Sequence, residues 1–266
     1  MPTAETGEVL LHYELSGNEQ GEILVLANSL GSNLHMWDKV VRTLESTFRV
    51  LRFDTRGHGK SSVPPGPYRL DQLGCDVLFL LDSLDMNRVN FCGLSLGGMV
   101  AMWLGIHAPE RVLRLVMANT GARIGTREIW EQRMATVQRS GMEELADTTL
   151  TRWFTTAYRE NHREEMEWIR RMIASTPPVG YSACCGVLRD SDLRAEISAI
   201  TAPCLVFTGK HDPATPPDVG LALHKLLLRN SNYSELDASH LSAWEEAPQF
   251  GSRVVAFLER AGVGNG

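Results

Sequence analysis

The chain has 266 residues, 43% of them hydrophobic, and a net charge of −6. That much apolar mass fills a sizeable core and argues against disorder, while the acidic balance argues against nucleic acid or an anionic membrane surface as partner. No stretch reaches the roughly 20 apolar residues that span a bilayer, and Met1-Pro2-Thr3-Ala4-Glu5 lacks the basic start and apolar run of a signal peptide.

In chain order, residues 8–15 read as an antiparallel edge strand. Short apolar runs follow at 23–27, 49–53, 88–92, 112–117 and 204–207, with a last one at 232–236. Several are apolar on both faces, as strands of a covered parallel sheet are. Helical periodicity fills the gaps at 36–46, 70–84, 97–108 and 218–229. This strand–helix alternation predicts an α/β fold with a mostly parallel, doubly wound sheet. The alternation stops after Asn119. Residues 122–195 are helical in pattern, with breaks at Gly141 and at Thr176-Pro177-Pro178-Val179-Gly180. We therefore expect a core formed by 1–121 and 196–266 and a helical cap, 122–195, inserted between two sheet strands. Ligands bind at the carboxyl edge of such sheets, so the insertion is expected to roof a pocket.

Five cysteines (Cys75, Cys92, Cys184, Cys185, Cys204) show no C-x-x-C spacing and leave one odd. Cys92 and Cys204 fall inside strand-like runs, where a thiol behaves as a small hydrophobe. This usage fits a reducing, cytoplasmic setting.

The chemistry centres on Gly93-Leu94-Ser95-Leu96-Gly97-Gly98, which closes a strand and opens a helix. A strand-to-helix turn that sharp exposes Ser95 and needs small residues two before and two after it. A serine hydroxyl is a weak nucleophile, so it requires a base, and the base an orienting acid. Of the eight histidines, His12, His107, His162 and His224 read as strand or helix residues, and His58 as a buttress within Asp54 to Ser61. His240, in the loop after the last strand, is the expected base. Asp212, just past residues 204–207, is the expected acid. Asp218 is explained as an N-terminal helix residue, and Asp237 is too near His240 in sequence to fold back. The oxyanion donors are expected from the backbone N–H of Leu96 and that of Leu30, in Asn28-Ser29-Leu30-Gly31, with Ser29 as the fallback.

These segments, together with Gly209 to Pro217 and Ser239-His240, resemble the α/β-hydrolase fold over essentially the whole chain. Many relatives carry His-Gly in the oxyanion loop. Here the loop is Asn28-Ser29-Leu30-Gly31, followed by Trp37, which resembles the 3-oxoadipate enol-lactonases of aromatic-acid catabolism. Trp130 to Met134, Arg152 to Thr155 and Tyr181 to Asp190 are similar to that family as well. The resemblance implies a small anionic lactone as substrate, an acyl-enzyme on Ser95, and neither metal nor organic cofactor. Such a lactone carries a free carboxylate, so the pocket should hold a cation. Residues 122–195 contain eleven arginines, eleven Asp or Glu residues and no lysine. Most of these arginines should be surface partners of acids. Arg133, one turn after Trp130, is the expected carboxylate anchor, with Trp130 and Trp153 as pocket walls or cap packing. A carboxylesterase or a carbon–carbon bond hydrolase with the same triad is the alternative, and a non-catalytic sensor using the same pocket is a further one. The oligomeric state is open.

Overall fold

A computed structural model describes residues 2–6, 9–228 and 230–259. One sheet contains β1 (Thr3–Thr6), β2 (Val9–Gly17), β3 (Ile23–Ala27), β4 (Arg49–Phe53), β5 (Val89–Leu94), β6 (Val112–Ala118), β7 (Cys204–Gly209) and β8 (Ser231–Leu236), in the order β1-β2-β4-β3-β5-β6-β7-β8. β1 with β2 and β2 with β4 are antiparallel; the other pairings are parallel. Every residue of β5 and of β7 is buried. Their composition requires it, since apolar side chains on both faces need helices on both. Those helices include α1 (Asp38–Glu45), α2 (Leu70–Ser83) and α3 (Leu96–His107). α1 turns Val40, Val41 and Leu44 inward while Lys39 and Arg42 face solvent.

The elements correct the sequence reading in four places. β2 is not an edge strand, because the short polar β1 pairs outside it, Thr3 opposite His12. Glu8, in the predicted strand, and Arg229, in the last predicted helix, lie outside the described residues. The predicted helix 36–46 is a 3₁₀ turn, Leu34–Trp37, followed by α1; it begins early because the Asn33 side chain accepts the His35 N–H at 3.0 Å. β5 runs on to Leu94, and α8 (Pro217–Leu226) stops short, with Leu228 in the left-handed region at φ 57°.

Between β6 and β7 lie α4 (Arg127–Trp153), α5 (Thr156–Asn161), α6 (Arg163–Ala174) and α7 (Pro178–Asp190). Gly141 breaks α4 with φ 74° and ψ −169°, a conformation that favours glycine. The two ends of the insertion meet where Leu193 N–H donates to Ala122 O at 2.8 Å. After β8 come α9 (Ser242–Glu245) and α10 (Ala247–Leu258). No helix among the described residues is long and apolar enough to cross a membrane. The chain reverses its direction of travel across the sheet at β3 and β5, whose carboxyl ends open the crevice expected of this topology.

Candidate active site

At the end of β5 only one residue separates strand from helix. Ser95 makes that turn with φ 58° and ψ −110°, a backbone strain of about 1–3 kcal/mol for a residue with a Cβ. Three bonds hold it there. Its N–H donates to Ala118 O at 2.9 Å, and its carbonyl accepts Met99 N–H at 3.1 Å and the Thr120 hydroxyl at 2.8 Å. The flanking glycines are obligatory on steric grounds. A Cβ on Gly93 would sit 2.0 Å from Gly97 O, and one on Gly97 would sit 2.2 Å from Ala27 O.

Asp212 follows β7 and His240 follows β8, so the parallel pairing of these strands brings both to one edge of the sheet. His240 Nδ1 lies 2.7 Å from Asp212 Oδ2, with both residues buried. The same Oδ2 accepts the Thr215 hydroxyl at 2.7 Å and Asn119 Nδ2 at 2.9 Å, while Oδ1 accepts the N–H groups of Ala214 and Thr215. Burial alone would raise the Asp212 carboxyl, but His240, Thr215 and Asn119 together hold it below its ordinary value. An ionised Asp212 fixes the histidine proton on Nδ1 and leaves Nε2 as the basic nitrogen. Asn119 was absent from the sequence reading as a site residue. It stands at the end of β6 with φ 46°, and its Oδ1 accepts the Ser242 hydroxyl at 2.5 Å.

The loop after β3 is pinned from several sides. Asn28 donates to Phe53 O at 2.7 Å and accepts Trp37 Nε1–H at 2.9 Å, which explains why Asn28 and Trp37 occur together. Ser29 N–H points to Met36 Sδ at 3.2 Å, and Gly31 N–H donates to His58 Nε2 at 3.0 Å. The N–H groups on either side of Leu30 are thus both committed within the protein. Leu96 opens α3, where N–H groups lack an intrahelical acceptor. His58 serves the loop as a neutral acceptor: burial pushes it down to about 4 despite its contact with Arg56 O.

A cavity of about 190 Å³ contacts Ser29, Leu30, Ser95 and His240 on the sheet side. Its roof is Trp130, Arg133, Arg152, Trp153 and Tyr181 of the inserted helices. The predicted Trp130, Arg133 and Trp153 thus meet Ser95 and His240 in one space. Both tryptophans are buried, and Trp130 donates to Ile124 O at 2.7 Å, so they are packing and pocket wall at once. The Arg133 guanidinium lies 4.8 Å from the centre of the Trp130 ring. Arg152 was not anticipated as a site residue. Burial, and then repulsion from Arg133, push it down to about 10. The available signal was its place in Arg152 to Thr155, one of the segments similar to the enol-lactonases. A larger groove of about 730 Å³, lined by Pro67, Val137 and Val179, contains none of Ser95, His240, Arg133 and Arg152.

Roof and histidine loop are bonded together. Ser239 Oγ donates to Arg152 O at 2.7 Å, and Leu241 N–H to Trp153 O at 3.0 Å. Glu245 accepts Ser239 N–H at 2.8 Å and Thr155 N–H at 3.1 Å. Among the described residues, no group of three or more His, Cys, Asp or Glu side chains is arranged to hold a metal ion.

Comparison with known proteins agrees with this architecture. The sequence profile of the alpha/beta hydrolase fold matches residues 22–247. The 3-oxoadipate enol-lactonase 2 of Acinetobacter baylyi is 39% identical, over 97% of this chain and 96% of its own length. The crystal structure of the enol-lactonase from Burkholderia xenovorans LB400 superposes with a TM-score of 0.95 at 42% identity, covering 97% of this chain and 99% of that one. A thermophilic esterase from Thermogutta terrifontis, solved with malate bound, superposes at 0.89 with 28% identity, over 97% and 96% of the two chains. The chain therefore belongs to the alpha/beta hydrolase fold family, among its carboxylic ester hydrolases.

Proposed function

We propose that this chain opens the ring of 3-oxoadipate enol-lactone to give 3-oxoadipate, using Ser95, His240 and Asp212 and passing through an acyl-enzyme. The observation that carries the reading is the shared cavity, in which Ser95 and His240 face the Arg133 guanidinium. Its size also supports a small ring. A cavity of roughly 150 Å³ accepts benzene, so about 190 Å³ suits a five-membered lactone with a short carboxylate arm better than a long acyl chain. The relatives named as enol-lactonases support the same substrate class. In this reading residues 122–195 act as the cap, and the free cysteines fit a cytoplasmic setting.

Ser95 Oγ gives its proton to His240 Nε2 and attacks the lactone carbonyl. The oxyanion is held by the N–H groups of Leu30 and Leu96. The ring C–O bond then breaks. The departing enolate oxygen takes the proton from His240, and the enol tautomerises to a ketone. Water gives a proton to His240 and attacks the acyl ester; Ser95 leaves with that proton, and the new carboxylic acid ionises to solvent. Arg133 grips the carboxylate already present in the substrate, and its bidentate fork orients the ring over Ser95.

Rates on purified protein test the assignment. The enol-lactone should exceed a neutral aryl ester and a vinylogous diketone in kcat/KM by about 100-fold or more, as expected where a built polar contact is lost. Equal or better turnover of the aryl ester would replace the enol-lactone reading with a general carboxylesterase.

A further inference from the structure

Six of the arginines between residues 122 and 195 have a carboxylate within 4 Å: Arg123, Arg127, Arg170, Arg171, Arg189 and Arg194. Arg133, Arg139, Arg152, Arg159 and Arg163 have none among the described residues, and of these five Arg133 and Arg152 are the two that line the cavity. Their partners are neutral. Arg152 Nη2 donates to Thr149 Oγ1 at 3.0 Å, and Arg133 lies over the Trp130 ring beside the Tyr181 phenol. Both guanidiniums are carried by partly buried residues, where a cation is ordinarily paired with an opposite charge. Two guanidiniums that line one small cavity also repel one another. A fold keeps such an arrangement when a ligand supplies the missing anions.

We propose that Arg133 and Arg152 form a two-cation site for a ligand bearing two carboxylates. The proposal rests on the ring-opening reading for which dicarboxylate that is. The enol-lactone brings one negative charge. The second arises only when water completes the reaction: the acyl bond to Ser95 Oγ breaks, the water oxygen becomes part of a carboxylate, and its protons leave by way of His240 and solvent. The charge of the cavity is therefore matched by the product rather than by the substrate. Two consequences follow. Dicarboxylates of about six carbons compete with substrate, and release of the product from Arg152 contributes to the turnover time.

Calorimetric titration with adipate, a six-carbon dicarboxylate, and with hexanoate, its monocarboxylate counterpart, reads this without any turnover. The intact chain should bind adipate at least about tenfold more tightly than hexanoate, the scale of one charge-assisted contact. Arg152→Gln should remove that preference by weakening adipate about tenfold while moving hexanoate less than about threefold. Arg152→Lys, which keeps the charge and loses the fork, should fall between them, and circular dichroism establishes that each variant is folded. Equal binding of the two acids by the unmodified chain, or an unchanged ratio in folded Arg152→Gln, overturns the proposal. Failure to turn over enol-lactone while the adipate preference persists refutes the substrate reading and leaves the two-cation site standing.

Discussion

Two buried histidine–aspartate pairs occur among the described residues, and by distance alone they are near twins. His12 Nδ1 lies 2.8 Å from Asp54 Oδ2, and His240 Nδ1 lies 2.7 Å from Asp212 Oδ2. The difference is in what the rest of each pair touches. Among the described residues, His12 Nε2 is buried without a hydrogen-bond partner, and Asp54 accepts the backbone N–H groups of Leu34 and Lys60. That pair braces the loop after β4 against β2. The His240 ring instead lines the cavity that Ser95 also lines, and its aspartate is surrounded by side-chain donors. A histidine–carboxylate bond is therefore no sign of catalysis by itself; the surroundings of the second ring nitrogen decide.

Mutations at the two pairs should separate bracing from chemistry. Ser95→Ala is expected to cost the most, about 10⁶ in kcat, as for loss of the nucleophile in a comparable triad. Asp212→Asn should cost about 10⁴, because it presents His240 with the wrong hydrogen-bonding partner. Stopped-flow or endpoint assays on the enol-lactone measure both, and a loss below tenfold at either position would remove it from the mechanism. Asn119→Ala should lower kcat by about tenfold, the worth of one hydrogen bond to a charged group, and should move the acid limb of the pH–rate profile upward as Asp212 loses a donor. His12→Ala should destabilise the fold by about 3 kcal/mol, the scale for breaking a buried pair, while kcat of the folded fraction stays within about threefold of the unmodified chain. Chemical denaturation and assay on the same preparations make that comparison.

His58 acts on the pH dependence of stability rather than on rate, and its sign is fixed. Its folded value near 4 lies below the ordinary 6.5, so the unfolded chain binds a proton that the folded chain does not. Stability should therefore rise with pH between about 4 and 6.5, with a slope of up to about 1.4 kcal/mol per pH unit from this group. His58→Gln should flatten that interval of the stability curve; an unchanged slope would mean that His58 is not the titrating group.

Local features were the ones legible in the sequence. The turn at Ser95 is specified by its own glycines and by the strand and helix that flank it. Asp212 and His240 could be reached from their places after two strands. Asn119 could not, because its role depends on the parallel register that sets β6 beside β7, where Asn119 N–H donates to Phe207 O at 2.9 Å. Arg152 was hidden among eleven arginines of similar sequence surroundings. Only the folded roof singles out the two that line the cavity with Ser95. β1 was missed because four mostly polar residues carry no periodic signal, and that omission put β2 at the edge.

The most direct test of the central claim is covalent labelling with a fluorophosphonate probe, followed by mass spectrometry of the digested protein. The chain should take one label per molecule, on Ser95. Labelling should be lost in His240→Ala and should proceed at an undiminished rate in folded His12→Ala. Label on another residue, or equal labelling rates in His240→Ala and the unmodified chain, would contradict the assignment of Ser95 and His240.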